Sequence, residues 1–556
     1  MVPNDHQRPT IEPDKAPQGI GTDFVAPTLE VPATWESVTE MLQSARFAER
    51  VMPACLQQCR WFGGKAHAVR SVQMLDALPL GTAATGRDAG RMAFVQVNYF
   101  ESPAEIYAMP LQLAAAGQAS ESIIARLTAG ETGSVLFDAL DDESFRSVLF
   151  EIILGEKCVP GQGGELAGVC GAMLKAQADT LAPPLPSRAL HADQSNSAVI
   201  YDGRFFLKLY RKPELGVNPD AELLRFLSER QKFENVPAYC GAIEHRAAGS
   251  EPRVLALLVA NVPNEGDAWS CTLDALSQFF ERVLSEKPEK TGAAPALVDH
   301  IVGGAYPERA RQLGTRTAQM HLALAADSED PNFAPEPITG MYQRSLCQSM
   351  RAGTRRMTQL LARKLLELPE KYRDEAAALL RSEEEILSRQ SKLLHQKIEA
   401  TRIRHHGDFH LGQVLNTGRD FVIIDFEGEP ARSLSERRMK RPAMRDVAGM
   451  LRSFHYAAHT ALSRQQTLHA EDVAYLEAWV EIWVQVISRS FLEAYLTTAK
   501  GASFIPEDPV ALRMLIEVHV LEKAAYEVCY ELNNRPDWIF IPMRGIAAIL
   551  DGRISL

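Results

Sequence analysis

Several features that would assign this chain at once are missing. No apolar run reaches the roughly 18 residues of a membrane span. The first residues, MVPNDHQRPT, lack the charged start and apolar stretch of a signal peptide. Cysteine is sparse: eight in 556 residues, at 55, 59, 158, 170, 240, 271, 347 and 529, with no CxxC pair. That usage excludes a disulfide framework and is expected of reduced thiols in the cytoplasm. Excess positive charge is also absent. Lys and Arg total 59 against 71 Asp and Glu, a formal net charge of −12. A nucleic-acid binder would need a basic face for the phosphates, so that class is set aside. A nucleotide substrate is not, because a local pocket can be positive inside an acidic protein. Finally, no GxGxxG follows a strand. The glycine-rich stretch 155–168, GEKCVPGQGGELAG, is not a dinucleotide loop.

The chain is too long for one ordinary core, so two or three domains are expected. Residues 1–34 are proline-rich and poor in apolar clusters, which predicts a tail or linker with structure starting near Trp35. From there to about residue 190 the pattern mixes strands and helices. MAFVQVNYF (92–100) alternates as a strand does, and 134–155 reads as a strand followed by a short helix. In AVIYDGRFFLKLY (198–210), two β-rich runs flank Asp202-Gly203, a hairpin turn signal. NPDAELLRFLSE (218–229) opens a helix, with Asn218 as cap and Pro219 at the first helical position. VLALLVANVP (254–263) reads as a buried strand. Beyond about residue 267 helical periodicity dominates, over 270–285, 306–326, 341–400, 442–463, 470–498 and 509–532. The class is therefore α+β, with a cap at 35–130, a β-rich lobe at 131–265, a helical lobe at 266–556 and a cleft between the lobes.

The chemistry concentrates in HHGDFHLGQVLNTGRDFVIIDFEGEP, residues 405–430. As a zinc site, His405, His406 and His410 lack the acid of HExxH, and no outlying group completes them. Phosphoryl transfer fits better. It needs a carboxylate beside the attacking hydroxyl, oxygen ligands for magnesium and a cation on the phosphates. Asp408 is followed five positions later by Gln413, and Asp425 opens Asp-Phe-Glu. Protein kinases space Asp, Asn and the DFG aspartate in the same way. A hairpin, with QVL and FVIIDF flanking residues 416–420, would return Asp425 to Gln413. Upstream, Lys208 lies on the second strand of the first hairpin, and Glu222, fourteen residues on, is expected to pair with it. The polar turn 193–197, with Ser195, Asn196 and Ser197, offers N–H groups and hydroxyls to phosphate. Val262, after the third β run, is the expected backbone contact for the base.

These segments together, QSNSAVIYDGRFFLKLYRK, NPDAELLRFL, VPNEGDAW, RTAQMHLALA, HGDFHLGQVL, IDFEGEP, RDVAGMLRSFHYAA and YELNNRPDW, resemble the maltokinase family. RWFGGKA (60–66) resembles that family's N-terminal cap. The resemblance runs from about residue 35 to 556 and implies a two-lobed, protein-kinase-like fold related to aminoglycoside kinases. It implies ATP and Mg2+ as cofactors and phosphorylation of maltose at its anomeric hydroxyl, giving maltose 1-phosphate. It further implies a place in trehalose-to-α-glucan metabolism, with possible association with a trehalose synthase. On this reading Asp408 is the base, Gln413 and Asp425 hold the metal, and Lys208 neutralises phosphate. His406 braces the catalytic loop. Glu427 binds a second ion, contacts sugar or caps the loop. Asp446 caps its helix, anchors the catalytic loop, or does both. The run 437–441 is read as a solvated loop that can lend positive potential near the phosphates. The sugar pocket is expected at 526–538, with Tyr530, Glu531, Asn534 and Arg535 as candidates, against core packing as the plain alternative. Trp61 is read as cap core. The role of His455, which follows Phe454, is left open. Two rivals remain: a kinase of another small hydroxylated compound, such as an amino sugar or aminoglycoside, and a catalytically silent nucleotide-binding scaffold.

Overall fold

The computed structural model describes residues 25–81, 88–116, 122–129, 132–190, 195–287, 295–465 and 469–552. The first 24 residues of the expected tail, and Asp193 of the polar turn, lie outside the described residues. Order begins earlier than Trp35. Thr28–Glu30 forms a strand parallel to Ile123–Ala129, where Leu29 is buried. Three residues with one apolar side chain carry no periodic signal, which is why that strand is invisible in the sequence.

Thr28–Glu30 is the edge of a six-stranded sheet. Its neighbours, in order, are Ile123–Ala129, Thr132–Asp138, Glu105–Ala115, Asp88–Tyr99 and Val69–Gly81. One face packs on the short helical segments Trp35–Gln43, Phe47–Val51 and Met52–Gln58 through Val38, Phe47 and Leu56. This cap sheet runs through Asp138, past the boundary expected at residue 130. A second sheet of seven strands follows, in the order 158–160, 165–170, 239–246, 253–260, 205–209, 197–201 and 187–190. The helix Glu143–Leu154 packs between the sheets and buries Phe145, Leu149 and Ile153. The cap is tied down by polar contacts as well. Arg211 bonds Asp138 at 2.7 Å and stacks over Trp61 at 4.7 Å, while Trp61 packs on the cap core beside Tyr107 as expected.

The hairpin of the second sheet forms as expected. Ser197–Tyr201 pairs antiparallel with Phe205–Leu209, and both Asp202 and Gly203 have positive φ. In the strand Phe205–Leu209, Phe205, Leu207 and Leu209 point into the core. The two-residue alternation turns Lys208 the other way, into the cleft.

The remainder is helical. Ala268–Glu286, Ala305–Leu324, Gly340–Lys364, Met444–Ser463, Ala470–Thr498 and Pro509–Asn534 share one core, in which Trp479 and Trp483 are fully buried. The expected 341–400 helix is broken into Gly340–Lys364, Glu370–Arg381 and Glu383–Ser391. The first of these breaks falls just before Pro369, which caps the second helix. Among the described residues no helix is long and apolar enough to cross a membrane.

Candidate active site

The segment 405–430 folds as a loop and a two-stranded hairpin wedged between the lobes. Val414–Asn416 pairs with Phe421–Ile423, and Ile424 N donates to Gln413 O at 3.0 Å. This returns Asp425 to Gln413, whose side chain is one of the groups that lower the Asp425 carboxyl. The strip is joined to the segment after the third core strand. Glu265 N donates to Asn416 O at 2.8 Å, and Asn416 N to Gly266 O at 2.9 Å. Val262 lies in that same segment, where its carbonyl accepts from Asn264 at 2.8 Å.

Asp446 holds the loop from behind. Its carboxylate accepts from His406 N at 2.7 Å, Gly407 N at 3.0 Å and His321 Nε2 at 3.1 Å. Burial opposes ionisation there, yet the His321 bond and the positive field of His405 keep the carboxyl far below the ordinary range. Asp446 lies inside the first turn of Met444–Ser463, whose N-cap is Ala443, so it is not the helix cap. His406 also donates from Nε2 to Ile424 O at 2.9 Å, which ties the loop to the far strand of the hairpin. Gly407 has φ +91, and a Cβ there would come within 3.2 Å of Gly428. The two acidic loops approach that closely because this position has no side chain.

The cation arrives from the β lobe. Lys208 Nζ bonds Asp220 at 3.0 Å and Glu427 at 2.6 Å, and pairs with Asp425. Burial opposes its charge, but Asp220, Asp425 and Glu427 outweigh burial and hold it protonated. Asp425 takes φ +65, uncommon for a residue other than glycine. It is kept there by Lys208 and by neighbours on both sides. Phe426 N donates to Asp220 at 2.9 Å, and Ile424 N to Gln413. The carboxyl of Asp425 is lowered: burial opposes this, and Lys208 prevails. Glu427 is raised by burial and by Asp425 and Asp220, with Lys208 only partly offsetting them. Asn196 Nδ2 reaches Glu427 at 2.8 Å, and Ser197 Oγ accepts from Arg211 at 2.8 Å. Ser195, which precedes them, is exposed.

Two sequence expectations are corrected here. Glu222 does not meet Lys208. It pairs with Arg404 at 2.7 Å and Arg438 at 2.8 Å, and Asp220 is the lysine's partner. Both acids lie in the helix Pro219–Arg225, but two residues are about 200° of rotation, so only one can face the strand. Packing of the buried Leu223 and Leu224 sets that rotation. The basic run 437–441 is not a solvated loop either. Arg438 holds Glu222, and Lys440 holds Glu336 at 2.9 Å and is buried.

A pocket opens beside Asp408, between the catalytic loop and Pro509–Asn534, with Glu429, Arg432, Arg445, Glu522, Lys523 and Tyr526 on its wall. His519, Glu522, Lys523 and Tyr526 line it at helical spacing. Tyr530, Glu531, Asn534 and Arg535, expected to form this pocket, are not among its lining residues. Tyr530 is exposed, and Glu531 is buried against Arg535 and Tyr456 at 2.7 and 3.1 Å. Asn534 donates back to Tyr530 O at 2.8 Å. Inside the pocket the charges are matched. Glu429 bonds Arg432 at 2.6 Å and Arg445 at 3.1 Å; Glu522 bonds Arg445 at 3.3 Å; Lys523 bonds Asp408 at 3.1 Å. Burial would raise the Asp408 carboxyl, but Lys523, with His410, lowers it below the usual range.

The chain's similarities agree with this arrangement. Residues 56–142 match the maltokinase N-terminal cap domain. The chain is 26% identical over 378 residues to a glucosamine kinase of Streptacidiphilus jiangxiensis, covering 67% of this chain and 76% of that protein. It is 23% identical over 368 residues to a glucosamine kinase of Mycolicibacterium smegmatis, covering 66% and 79%. In fold it is similar to glucosamine kinase solved with glucosamine, ADP and inorganic phosphate, with a TM-score of 0.57 and 21% identity over 91% of this chain and 99% of that one. A second crystal form of glucosamine kinase gives a TM-score of 0.58 at 20% identity over the same shares. Residues 187–479, more than half the chain and the stretch holding Lys208, Asp408, Gln413 and Asp425, match the phosphotransferase enzyme family, and the chain belongs to that family.

Proposed function

We propose that this protein is an ATP-dependent sugar kinase that phosphorylates maltose at the anomeric hydroxyl, giving maltose 1-phosphate and ADP. The observation that carries the reading is the gathering of Lys208, Gln413 and Asp425 at one cleft, with Asp408 opening from the same loop into a separate pocket.

Lys208 neutralises the nucleotide phosphates, and Asp220 aims it. The polar lip at Ser195, Asn196 and Ser197 covers the phosphates, and the backbone at Val262 meets the base. The donor set suits Mg2+. Carboxylate oxygens of Asp220, Asp425 and Glu427 lie within 4.8 Å of one another, and the Gln413 amide adjoins Asp425. These are hard oxygen ligands of the kind magnesium takes. Gln413 and Asp425 would hold the ion, which supplies charge neutralisation at the phosphates. Asp408, already ionised at neutral pH, accepts a hydrogen bond from the sugar hydroxyl and then its proton, a contribution of about 10²–10⁴-fold. His406 and Asp446 keep that carboxylate in place through the loop backbone. Glu429, Arg432 and Lys523 offer hydrogen bonds to hydroxyls.

The acceptor is read as neutral because Asp408, Glu429 and Glu522 on the pocket wall are each already paired with a lysine or arginine. An ammonium group would have to displace one. A second reading, glucosamine as acceptor, is favoured by the names of the two relatives given above. Maltose, glucosamine and kanamycin compared in a coupled ADP-release assay decide between them. Maltose is expected to give the highest kcat/KM, and turnover confined to the amino compounds would overturn the proposal. Within the same reading, a trehalose synthase supplies the maltose and associates with this chain. Co-purification of the two at stoichiometric ratio is the expected result.

A further inference from the structure

The helix Met444–Ser463 carries a second polar cluster, apart from Asp446. His455 and His459 are four residues apart, so they share one face of the helix. Their rings lie 4.4 Å apart, and the residues are only 2% and 3% exposed. Neither nitrogen of either imidazole has a hydrogen-bond partner. Glu481, on the neighbouring helix Ala470–Thr498, brings a carboxylate oxygen to 3.6 Å from His459 Nε2, beyond a hydrogen bond. One ligand atom from each of the three residues lies within 4.8 Å of the others.

We propose that His455, His459 and Glu481 form a binding site for one transition-metal dication of the zinc class, which clamps Met444–Ser463 to Ala470–Thr498. Two imidazoles at i and i+4 with a carboxylate from a second element are a donor set that zinc takes, with water as the fourth ligand. Tetrahedral ligands at about 2.0 Å from zinc stand about 3.3 Å apart, so modest side-chain rotation closes the observed separation. The cations that face His455 are already matched. Arg452 pairs with Glu527 at 2.7 Å, and Arg544 with Glu375 at 3.0 Å and Glu477 at 3.1 Å. A dication would also satisfy imidazole nitrogens that are otherwise buried without partners. The clamp has a functional address. The same helix holds the catalytic loop through Asp446 and through Ser453 Oγ, which accepts from Leu411 N at 3.1 Å. The site shares no residue with the Asp220–Asp425–Glu427 cluster, so oxygen-bound magnesium and nitrogen-bound zinc are separable.

The test uses the full chain, stripped with chelator and dialysed into buffer with excess Mg2+. Zn2+ is then added and the unbound metal removed by gel filtration. The expected result is one zinc retained per wild-type chain by mass spectrometry of the metal, with a thermal midpoint several degrees higher. Co2+ in place of zinc should give the strong visible bands of a four-coordinate ion. His455→Gln combined with His459→Gln should lose the zinc and the thermal shift, while Asp425→Asn keeps both. Far-UV circular dichroism checks that each variant folds. If the double variant does not fold, Glu481→Gln decides, and weaker retention with a smaller shift is expected. Zinc retention in a folded variant equal to wild type, or none in wild type, overturns the proposal.

Discussion

Replacing Asp220 by Asn separates the two candidate partners of Lys208. The Asp220 carboxylate is 2% exposed and serves three donors. Oδ2 accepts from Lys208 Nζ at 3.0 Å and from Tyr210 OH at 3.0 Å, and Oδ1 from Phe426 N at 2.9 Å. An asparagine has one accepting oxygen. If it stays on Phe426, an NH2 group faces the ammonium and the charge-assisted bond is lost. Such a bond contributes about 1.5–3 kcal/mol. At 1.36 kcal/mol per tenfold, kcat/KM for ATP should fall by about 10- to 150-fold. Lys208 keeps Asp425 and Glu427, so loss should stop short of inactivation. Glu222→Gln is the paired control. It weakens the contacts to Arg404 and Arg438 and should lower the urea midpoint, leaving kcat/KM of the folded enzyme close to wild type. Steady-state ATP kinetics on both variants, with urea melts, read this out. A large kinetic defect in Glu222→Gln beside near-normal Asp220→Asn would refute the reasoning.

The other site residues give sharp expectations of their own. Asp408→Asn should lower kcat by about 10²–10⁴-fold while the variant keeps the far-UV circular dichroism of the folded wild type. In the pH profile of kcat/KM, the acid limb should lie below the ordinary aspartate range, because Lys523 outweighs burial at Asp408. Lys523→Met removes the largest of the groups that oppose burial, leaving His410 and His406, and should move that limb to higher pH; an unmoved limb contradicts the pairing. Asp446→Asn should cost about 1.5–3 kcal/mol in urea denaturation at neutral pH. The Asp446 carboxyl is depressed in the fold, so its stabilisation is complete above the ordinary carboxylate range and is lost as pH falls through the lower folded value. The gap between wild type and variant should therefore close only in strong acid. Asp425→Ala should abolish turnover while far-UV circular dichroism stays that of wild type.

What could be read in advance follows from the reach of each signal. The geometry joining Asp408, Gln413 and Asp425 is local, since one hairpin in one segment fixes it. Lys208 was legible because strand alternation assigns its face once Phe205, Leu207 and Leu209 are taken as core. Its partner was not. Asn218 and Pro219 fix where the helix starts, but its rotation depends on tertiary packing of Leu223 and Leu224. The pocket failed for a related reason. Periodicity groups Glu522, Lys523, Tyr526 and Tyr530 on one helical face, yet nothing local says which turn stands opposite Asp408. Asp446 shows the converse. The helix-cap reading comes from local chemistry, but the side chain is turned back to His406 N and Gly407 N, a contact forty residues away in sequence.

The most direct measurement is a 1H–31P correlation spectrum of the product formed from maltose, ATP and Mg2+, with Asp408→Asn as the blank. The account predicts phosphorus coupled to the anomeric proton of the reducing glucose, with a signal at least about a hundredfold weaker from the variant at the same early time. Phosphorus on any other carbon, or an equal yield from the variant, would contradict it.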